Sequence, residues 1–242
     1  KLPVIMFVDT FSRYFEPENI RSAIKVLKAA GYYPFLPSPK VSKKPLCCGR
    51  TYLSNGLIDK AKAEGELILK TFLPYLKDGI PVVGLEPSCI LSFRDELPAL
   101  INDPNINLLK NNSFTFEELL SKQCDKLNFK KMNKKVLLHG HCHQKAFDAV
   151  KPIESVLGMI EGLKVETIDT SCCGMAGSFG YNKNTYDISM KMAKEKLFPA
   201  IMKTKEDITV IADGTSCRCQ IKDGINRESV HVARFLDKNI IY

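Results

Sequence analysis

Cysteines are the residues in this chain whose number and spacing point to chemistry. There are nine of them, two pairs being adjacent, Cys47-Cys48 and Cys172-Cys173, each followed by a glycine. An odd count argues against a complete disulfide framework, and neighbouring cysteines make a strained ring when bridged. Reduced thiols in a cytoplasmic setting fit better. Each Cys-Cys-Gly lies roughly forty residues before a Ser-Cys, namely Cys89 and Cys217, so the chain reads as two related halves. Thr10, Cys47, Cys48 and Cys89 in the first half match Cys142, Cys172, Cys173 and Cys217 in the second.

Thiolates are soft ligands that suit iron–sulfur clusters or zinc. A glycine after a cysteine pair permits positive φ and lets backbone N–H groups reach the sulfurs, which tunes a bound metal. The second half offers Cys142, Cys172, Cys173, Cys217 and an extra Cys219. The first offers Cys47, Cys48 and Cys89, with Thr10 where a fourth sulfur would stand. A full centre is therefore expected in the second half, and a vestigial site in the first. His139, His141 and His143 alternate around Cys142 and are read as hydrogen-bonding neighbours of the sulfur ligands, the alternative being that one of them is a metal ligand or proton donor; His143 and Gly174 are expected to support the ligands from behind. Cys124 is expected to be a small buried apolar side chain. The run Gly174-Met175-Ala176-Gly177-Ser178-Phe179-Gly180 matches no nucleotide-binding spacing; it reads either as backbone packed against the centre or a docking cofactor, or as a tight turn.

The elements that must position these residues alternate between strand and helix. Apolar runs at 4–8, 34–36, 81–85, 135–139, 164–168 and 208–212 predict strands. Helices are expected over 20–30, over a long stretch capped by Asn55 and closing at Gly79, over 152–161 and over 186–200. Such alternation predicts an α/β fold of two pseudo-repeated halves, each a small parallel sheet flanked by helices, with the cysteine loops at the strand carboxyl ends, where such sheets bind ligands. The halves are expected at 1–125 and 135–242, joined by a basic linker at 126–134.

With 242 residues and 45% hydrophobic side chains the chain can bury a proper core. The net charge of +8 comes partly from Lys130-Lys131-Met132-Asn133-Lys134-Lys135, a solvated stretch without the aromatics of a base-stacking surface, so no nucleic-acid partner is expected. No run approaches the roughly 20 apolar residues of a membrane span, and no secretory signal is visible. The expected place is cytoplasmic, at most peripheral to the inner membrane. A start without Met suggests a fragment or processed product.

The paired motifs resemble the cysteine-rich CCG domain. That domain is found in heterodisulfide reductase, in the iron–sulfur subunits of glycolate oxidase and anaerobic glycerol-3-phosphate dehydrogenase, and in lactate-utilisation proteins. Phe7-Val8-Asp9-Thr10-Phe11 with Phe15-Glu16-Pro17, Leu85-Glu86-Pro87-Ser88-Cys89 with Arg94-Asp95-Glu96, and Ala212-Asp213-Gly214-Thr215-Ser216-Cys217-Arg218 are similar to the C-terminal region of fused FAD-linked oxidases acting on D-2-hydroxy acids. The resemblance implies an electron-transfer module with upstream FAD-binding and ferredoxin-like parts, in the same polypeptide or complex, and an acceptor such as a quinone. The fragment alone would then not be catalytic. The family pattern has Cys-x-x-Cys at the third site, where this chain has Gly214 before Cys217 and Glu86 before Cys89. One cluster, of the 4Fe-4S type, is therefore expected rather than two, with Cys219 as a possible replacement for the lost ligand. The rival readings are a zinc-containing or bare-thiol docking module and a thiol–disulfide site like that of heterodisulfide reduction.

Overall fold

The structure, a computed structural model, describes residues 1–39 and 44–242, without the side chains of residues 124 and 125. The expectation for Cys124 lies outside the described residues. The chain divides into two compact units, Lys1–Lys126 and Leu127–Tyr242.

Both units obey the same plan. In the first, β1 (Leu2–Phe7), β2 (Tyr32–Phe35), β3 (Val82–Gly84) and β4 (Ser113–Thr115) form a sheet of order β2-β1-β3-β4. In the second, β5 (Lys134–His139), β6 (Leu163–Thr167), β7 (Thr209–Ala212) and β8 (Ser229–Val230) form one of order β6-β5-β7-β8. All the pairings are parallel. This is the α/β fold of two related halves that alternating strands and helices imply. Parallel neighbours need crossover connections, and the helices that supply them cover the sheet faces. The run Val4-Ile5-Met6-Phe7 is wholly buried, as is Val136-Leu137-Leu138. The helix Pro17–Ala29 buries Ala23, Val26 and Leu27, and the helix Ile58–Lys77 buries Ala61, Ile68, Phe72 and Leu76, in each case a stripe at helical spacing. Each fully buried leucine, isoleucine or phenylalanine contributes about 1.5–3 kcal/mol of burial free energy.

The order places a switch point between the two central strands of each sheet, where successive connections leave to opposite sides. There Phe7 pairs with Gly84 in one sheet and His139 with Ala212 in the other. The loops leaving these four strand ends carry Thr10 and Cys89 in the first unit, Cys142 and Cys217 in the second.

Three expectations are corrected. Asn55 does not cap the long helix, whose N-cap is Leu57. It ends the preceding short helix Arg50–Ser54, its side-chain amide donating to the Thr51 carbonyl at 2.7 Å. The helix over 186–200 breaks at Lys196 into Tyr186–Glu195 and Leu197–Met202. Lys196 leaves helical geometry at φ −135°, and Pro199, which lacks an N–H and whose ring clashes with a helical carbonyl four residues earlier, favours a break here. The basic run is not only a connection: Lys134 and Lys135 are the first residues of β5, and Lys131 pairs with Glu161.

Candidate metal centre

In the second unit four sulfurs from three loops meet in a hydrogen-bonded row. Cys142 bonds to Cys172, Cys172 to Cys173, and Cys173 to Cys217. Cys142 and Cys172 are half-buried, while Cys173 and Cys217 are buried. The inner two sulfurs belong to an apolar cluster with Leu137, Met175, Ile201 and Val210, which keeps bulk water off them.

Protons and charge are shared unevenly along this row. Cys172 is held well below the ordinary thiol range by its bonds to Cys142 and then Cys173, an effect that outweighs its burial; the Gly174 N–H and the His141 ring add to it. Cys217 is also pulled well down, by the thiol of Cys173 first, against burial, and then by His141 and His139. The donors are pushed up correspondingly: Cys142 by its bond to Cys172 and by burial, Cys173 by its bonds to Cys172 and Cys217. Cys172 and Cys217 are thus drawn toward the thiolate, and Cys142 and Cys173 toward the thiol.

Local sequence explains how the row is built. Gly174 has φ +88°, and its N–H donates to Cys172 Sγ at 3.3 Å. A Cβ there would stand 2.3 Å from the Ser189 carbonyl oxygen. The next N–H, of Met175, bonds to Cys173. The glycine-rich stretch then turns tightly, with Ala176 and Gly177 at positive φ and the Gly180 N–H on the Met175 carbonyl at 2.8 Å. His141 caps the helix Cys142–Ala146 in a capping box. Its Nδ1 accepts the His143 N–H at 3.2 Å, and its own N–H donates to Gln144 Oε1 at 3.0 Å. Gln144, fully buried, gives its other end to Asp213 Oδ2 at 3.0 Å, and so ties the Cys142 loop to the Cys217 loop. Gln144→Leu should cost about 3 kcal/mol in urea unfolding, because it strands a buried carboxylate oxygen and a backbone N–H. Arg218 secures the other loop, donating to the carbonyls of Ala212 at 2.8 Å and Asp213 at 2.6 Å.

Residues that the sequence motifs do not reveal complete the surroundings. Lys145 donates to the Thr170 carbonyl, to Thr170 Oγ1 at 3.0 Å and to the Ser171 carbonyl at 3.2 Å, which holds the strand leading into Cys172-Cys173. Burial lowers its ammonium pKa, while the neighbouring thiols Cys217, Cys142 and Cys172 oppose that shift. His139 is 1% exposed; its Nε2 has no nitrogen or oxygen partner, and the ring bonds to the Cys217 sulfur. Ligand atoms of His139, Cys173 and Cys217 lie within 4.8 Å of one another. His143 is half-buried and stacks on His141 with ring centroids 5.2 Å apart, its Nδ1 3.8 Å from Cys142 Sγ. Cys219 is turned away: two residues after Cys217 on the helix Thr215–Ile225, it lies beside the Tyr181 hydroxyl.

The first unit gathers its thiols differently. Cys48 Sγ lies 3.1 Å from Cys89 Sγ, and Cys47 bonds to Cys48. Gly49 repeats the left-handed turn at φ +76°. Asp9, the N-cap counterpart of His141, is 1% exposed, with Oδ2 lacking a partner; Glu86, the counterpart of Gly214, is 4% exposed. Bonding to Cys48 lowers Cys89, but burial together with the carboxylates Asp9 and Glu86 leaves it raised overall. Burial and then Glu86 raise Asp9. Thr10 is exposed.

The two pockets therefore differ in fitness for a metal. A thiolate-bound cluster is an anion, and the second pocket brings imidazoles, an ammonium and backbone N–H groups to sulfurs already partly ionised. It also turns a buried imidazole, that of His139, on the Cys217 sulfur. The first places carboxyl groups beside protonated thiols, which opposes the same charge. The residues fit a metal in the second unit.

Residues 136–222 match the family described as a cysteine-rich domain, CCG, so the resemblance carried by the cysteine motifs holds. The chain is 29% identical over 222 residues to one of the subunits of the anaerobic glycerol-3-phosphate dehydrogenase of Escherichia coli (strain K12), covering 90% of this chain and 54% of that protein. It is 28% identical over 236 residues to a D-2-hydroxyglutarate dehydrogenase of Pseudomonas putida, covering 94% of this chain and 21% of that protein. It is 24% identical over 234 residues to lactate utilization protein A of Bacillus cereus (strain B4264), covering 92% and 90%. The chain thus spans about half the length of the first relative and about a fifth of the second. These relatives are oxidoreductase components. Among the described residues, no helix is long and apolar enough to cross a membrane.

Proposed function

We propose that this chain is the iron–sulfur electron-transfer part of a flavin-linked oxidoreductase acting on a small hydroxy acid of the D-2-hydroxy class. Cys142, Cys172, Cys173 and Cys217 hold one cluster of the 4Fe-4S type in the second unit, while Cys47, Cys48 and Cys89 remain thiols. The cluster, when bound, supplies one-electron transfer between the two-electron chemistry of FAD on an upstream part and an acceptor such as a quinone. The chain's own residues hold and tune it: Gly174 and Met175 direct N–H groups at the sulfurs, His141 and Lys145 offset charge, and the apolar cluster around Cys173 excludes water. The observation that carries this reading is the meeting of four sulfurs from distant loops at the switch point of one parallel sheet. The dehydrogenase relatives support the reaction class.

Reconstituted with iron and sulfide without oxygen, the chain should take up about four of each. It should show broad visible absorption that bleaches on reduction, and without its flavin partner it should oxidise no substrate. A colourless, iron-free product would remove the reading. Zinc is the second candidate, because His139, Cys173 and Cys217 together with Cys172 would make a Cys3His set of the kind zinc takes. Stoichiometric zinc with no redox wave would decide for it.

A further inference from the structure

A ring nitrogen of His139 lies within 4.8 Å of both inner sulfurs, Cys173 and Cys217. Its Nδ1 lies 3.0 Å from Thr170 Oγ1. That oxygen also accepts from Lys145 Nζ at 3.0 Å. Thr170 Oγ1 can accept from an Nδ1–H, and in that tautomer Nε2 turns a lone pair toward Cys173 and Cys217, whose ligand atoms lie within 4.8 Å. Metal-bound histidines are held in this way, the far N–H given to an oxygen that fixes tautomer and ring plane. Nε2 is buried without a nitrogen or oxygen partner, and the ring bonds to the Cys217 sulfur, which it helps to lower.

The other two histidines of the motif are engaged otherwise. His141 Nδ1 takes the backbone N–H of His143, so in the neutral ring the proton sits on Nε2, which can donate to a sulfur but cannot ligate. His141 also fills the space beside Gly214: a Cβ on that glycine would lie 2.3 Å from His141 Cδ2 and 3.3 Å from Cys217 Sγ. A cysteine at 214 has no room while the ring is there. His143 Nδ1 lies 3.8 Å from the outer sulfur, Cys142.

From this geometry we infer that His139 binds through Nε2 the metal held by Cys173 and Cys217, so that the centre has mixed sulfur and nitrogen ligation, with Thr170 as the residue that positions the ring. The inference rests on the metal-centre reading above, and it requires that His139, Cys173 and Cys217 share one metal, so that this metal takes more than one protein ligand.

Cobalt(II) added without oxygen to the reduced chain is the probe. Sulfur-to-cobalt charge-transfer absorption reports thiolate binding, and pulsed EPR reports a directly bound nitrogen. The wild type should show both, and the nitrogen coupling should change on labelling histidine with 15N. H139A should lose that coupling while keeping the sulfur bands, whereas H141A should retain it. T170V, which preserves the side chain's shape, should weaken cobalt binding about 10- to 100-fold. The labelling result needs no variant, so it stands even if H139A fails to fold. Sulfur bands without any histidine coupling in the wild type would overturn His139 ligation and leave the metal centre intact. No sulfur bands and no iron uptake on reconstitution would overturn both.

Discussion

Gly174→Ala should cost the second unit about 3 kcal/mol or more and abolish metal uptake, whereas Gly158→Ala should leave the protein as stable as before or slightly more so. At 174 the backbone is left-handed at φ +88°, which costs an alanine about 1–2 kcal/mol. Its Cβ would also meet the Ser189 carbonyl oxygen at 2.3 Å. That contact is with backbone, so either the loop or the helix Tyr186–Glu195 must move. Movement of the loop withdraws the 174 N–H from Cys172 Sγ, and with it the geometry that brings Cys172 and Cys173 to the other two sulfurs. Gly158 lies at the end of the helix Lys151–Gly158, with nothing within 4 Å of a Cβ there. Alanine at that position gains about 0.5–1 kcal/mol by restricting the unfolded chain. Urea unfolding reads both: with a slope of about 1–3 kcal/mol per molar, the Gly174 variant's midpoint should fall by about 1 M or more. Equal midpoints for the two variants would mean that the glycine after the cysteine pair does not shape the loop.

How much of this architecture is legible in the sequence depends on how local its causes are. Val4-Ile5-Met6-Phe7 and Val136-Leu137-Leu138 stand out as strands because a parallel strand is covered on both faces and must be apolar throughout. β4 and β8 do not stand out. Ser113-Phe114-Thr115 and Ser229-Val230 are edge strands of three and two residues, too short to show a period. The helix Thr215–Ile225 is concealed for another reason. Its buried face is made of Thr215, Cys217, Arg218, Gln220 and Ile221, polar groups satisfied by tertiary partners, such as Gln220 on Ser189 Oγ at 3.1 Å, so no apolar stripe marks it. The cysteine pairs and the repeat that relates them are legible because motif spacing survives in the linear sequence. The direction of Cys219 is not, because it depends on residues 215–225 being helical. The place of His139 depends on Thr170, Cys173 and Cys217, all at least thirty-one residues away, and alternation with His141 and His143 gives no hint of it.

The electrostatic asymmetry of the units belongs to the same class of non-local fact, and it bears on why one cluster is proposed and not two. The same topology, the same Cys-Cys-Gly turn and the same third-strand Ser-Cys occur in both. What differs is the residue at each strand end facing the sulfurs: His141 and Gly214 in one, Asp9 and Glu86 in the other. The thiol-to-thiol bonds, which include Cys142 in one unit and not the exposed Thr10 in the other, come first in shifting the sulfurs, and the residues at these positions add to that shift or oppose it; a thiolate-bound metal needs surroundings that favour negative sulfur.

Alkylation of the metal-free chain should expose that difference as a large gap in rate between Cys172 and Cys47, two half-buried thiols at matching positions. The thiolate is the nucleophile. Cys172 is held well below the ordinary thiol range, by the thiols of Cys142 and Cys173 first. It is therefore ionised throughout pH 6–9, and its rate with iodoacetamide should be nearly flat over that window. Cys47 is pushed above the ordinary range, by its bond to Cys48 first, then by burial and the Cys48 charge, with Glu64 adding to the rise. It remains a thiol across the same window, so its rate should rise about tenfold for each pH unit. Lower basicity makes each Cys172 thiolate a weaker nucleophile, with a Brønsted slope of about 0.4–0.5, but that recovers only part of the difference in ionised fraction. At pH 6.5 Cys172 should therefore react at least about a hundredfold faster. Mass mapping of the alkylated peptides against pH measures both rates in one sample. Parallel profiles for the two cysteines would show that the histidines, Lys145 and the shared protons do not ionise the second pocket, and the charge argument for confining the metal to that unit would fail with them.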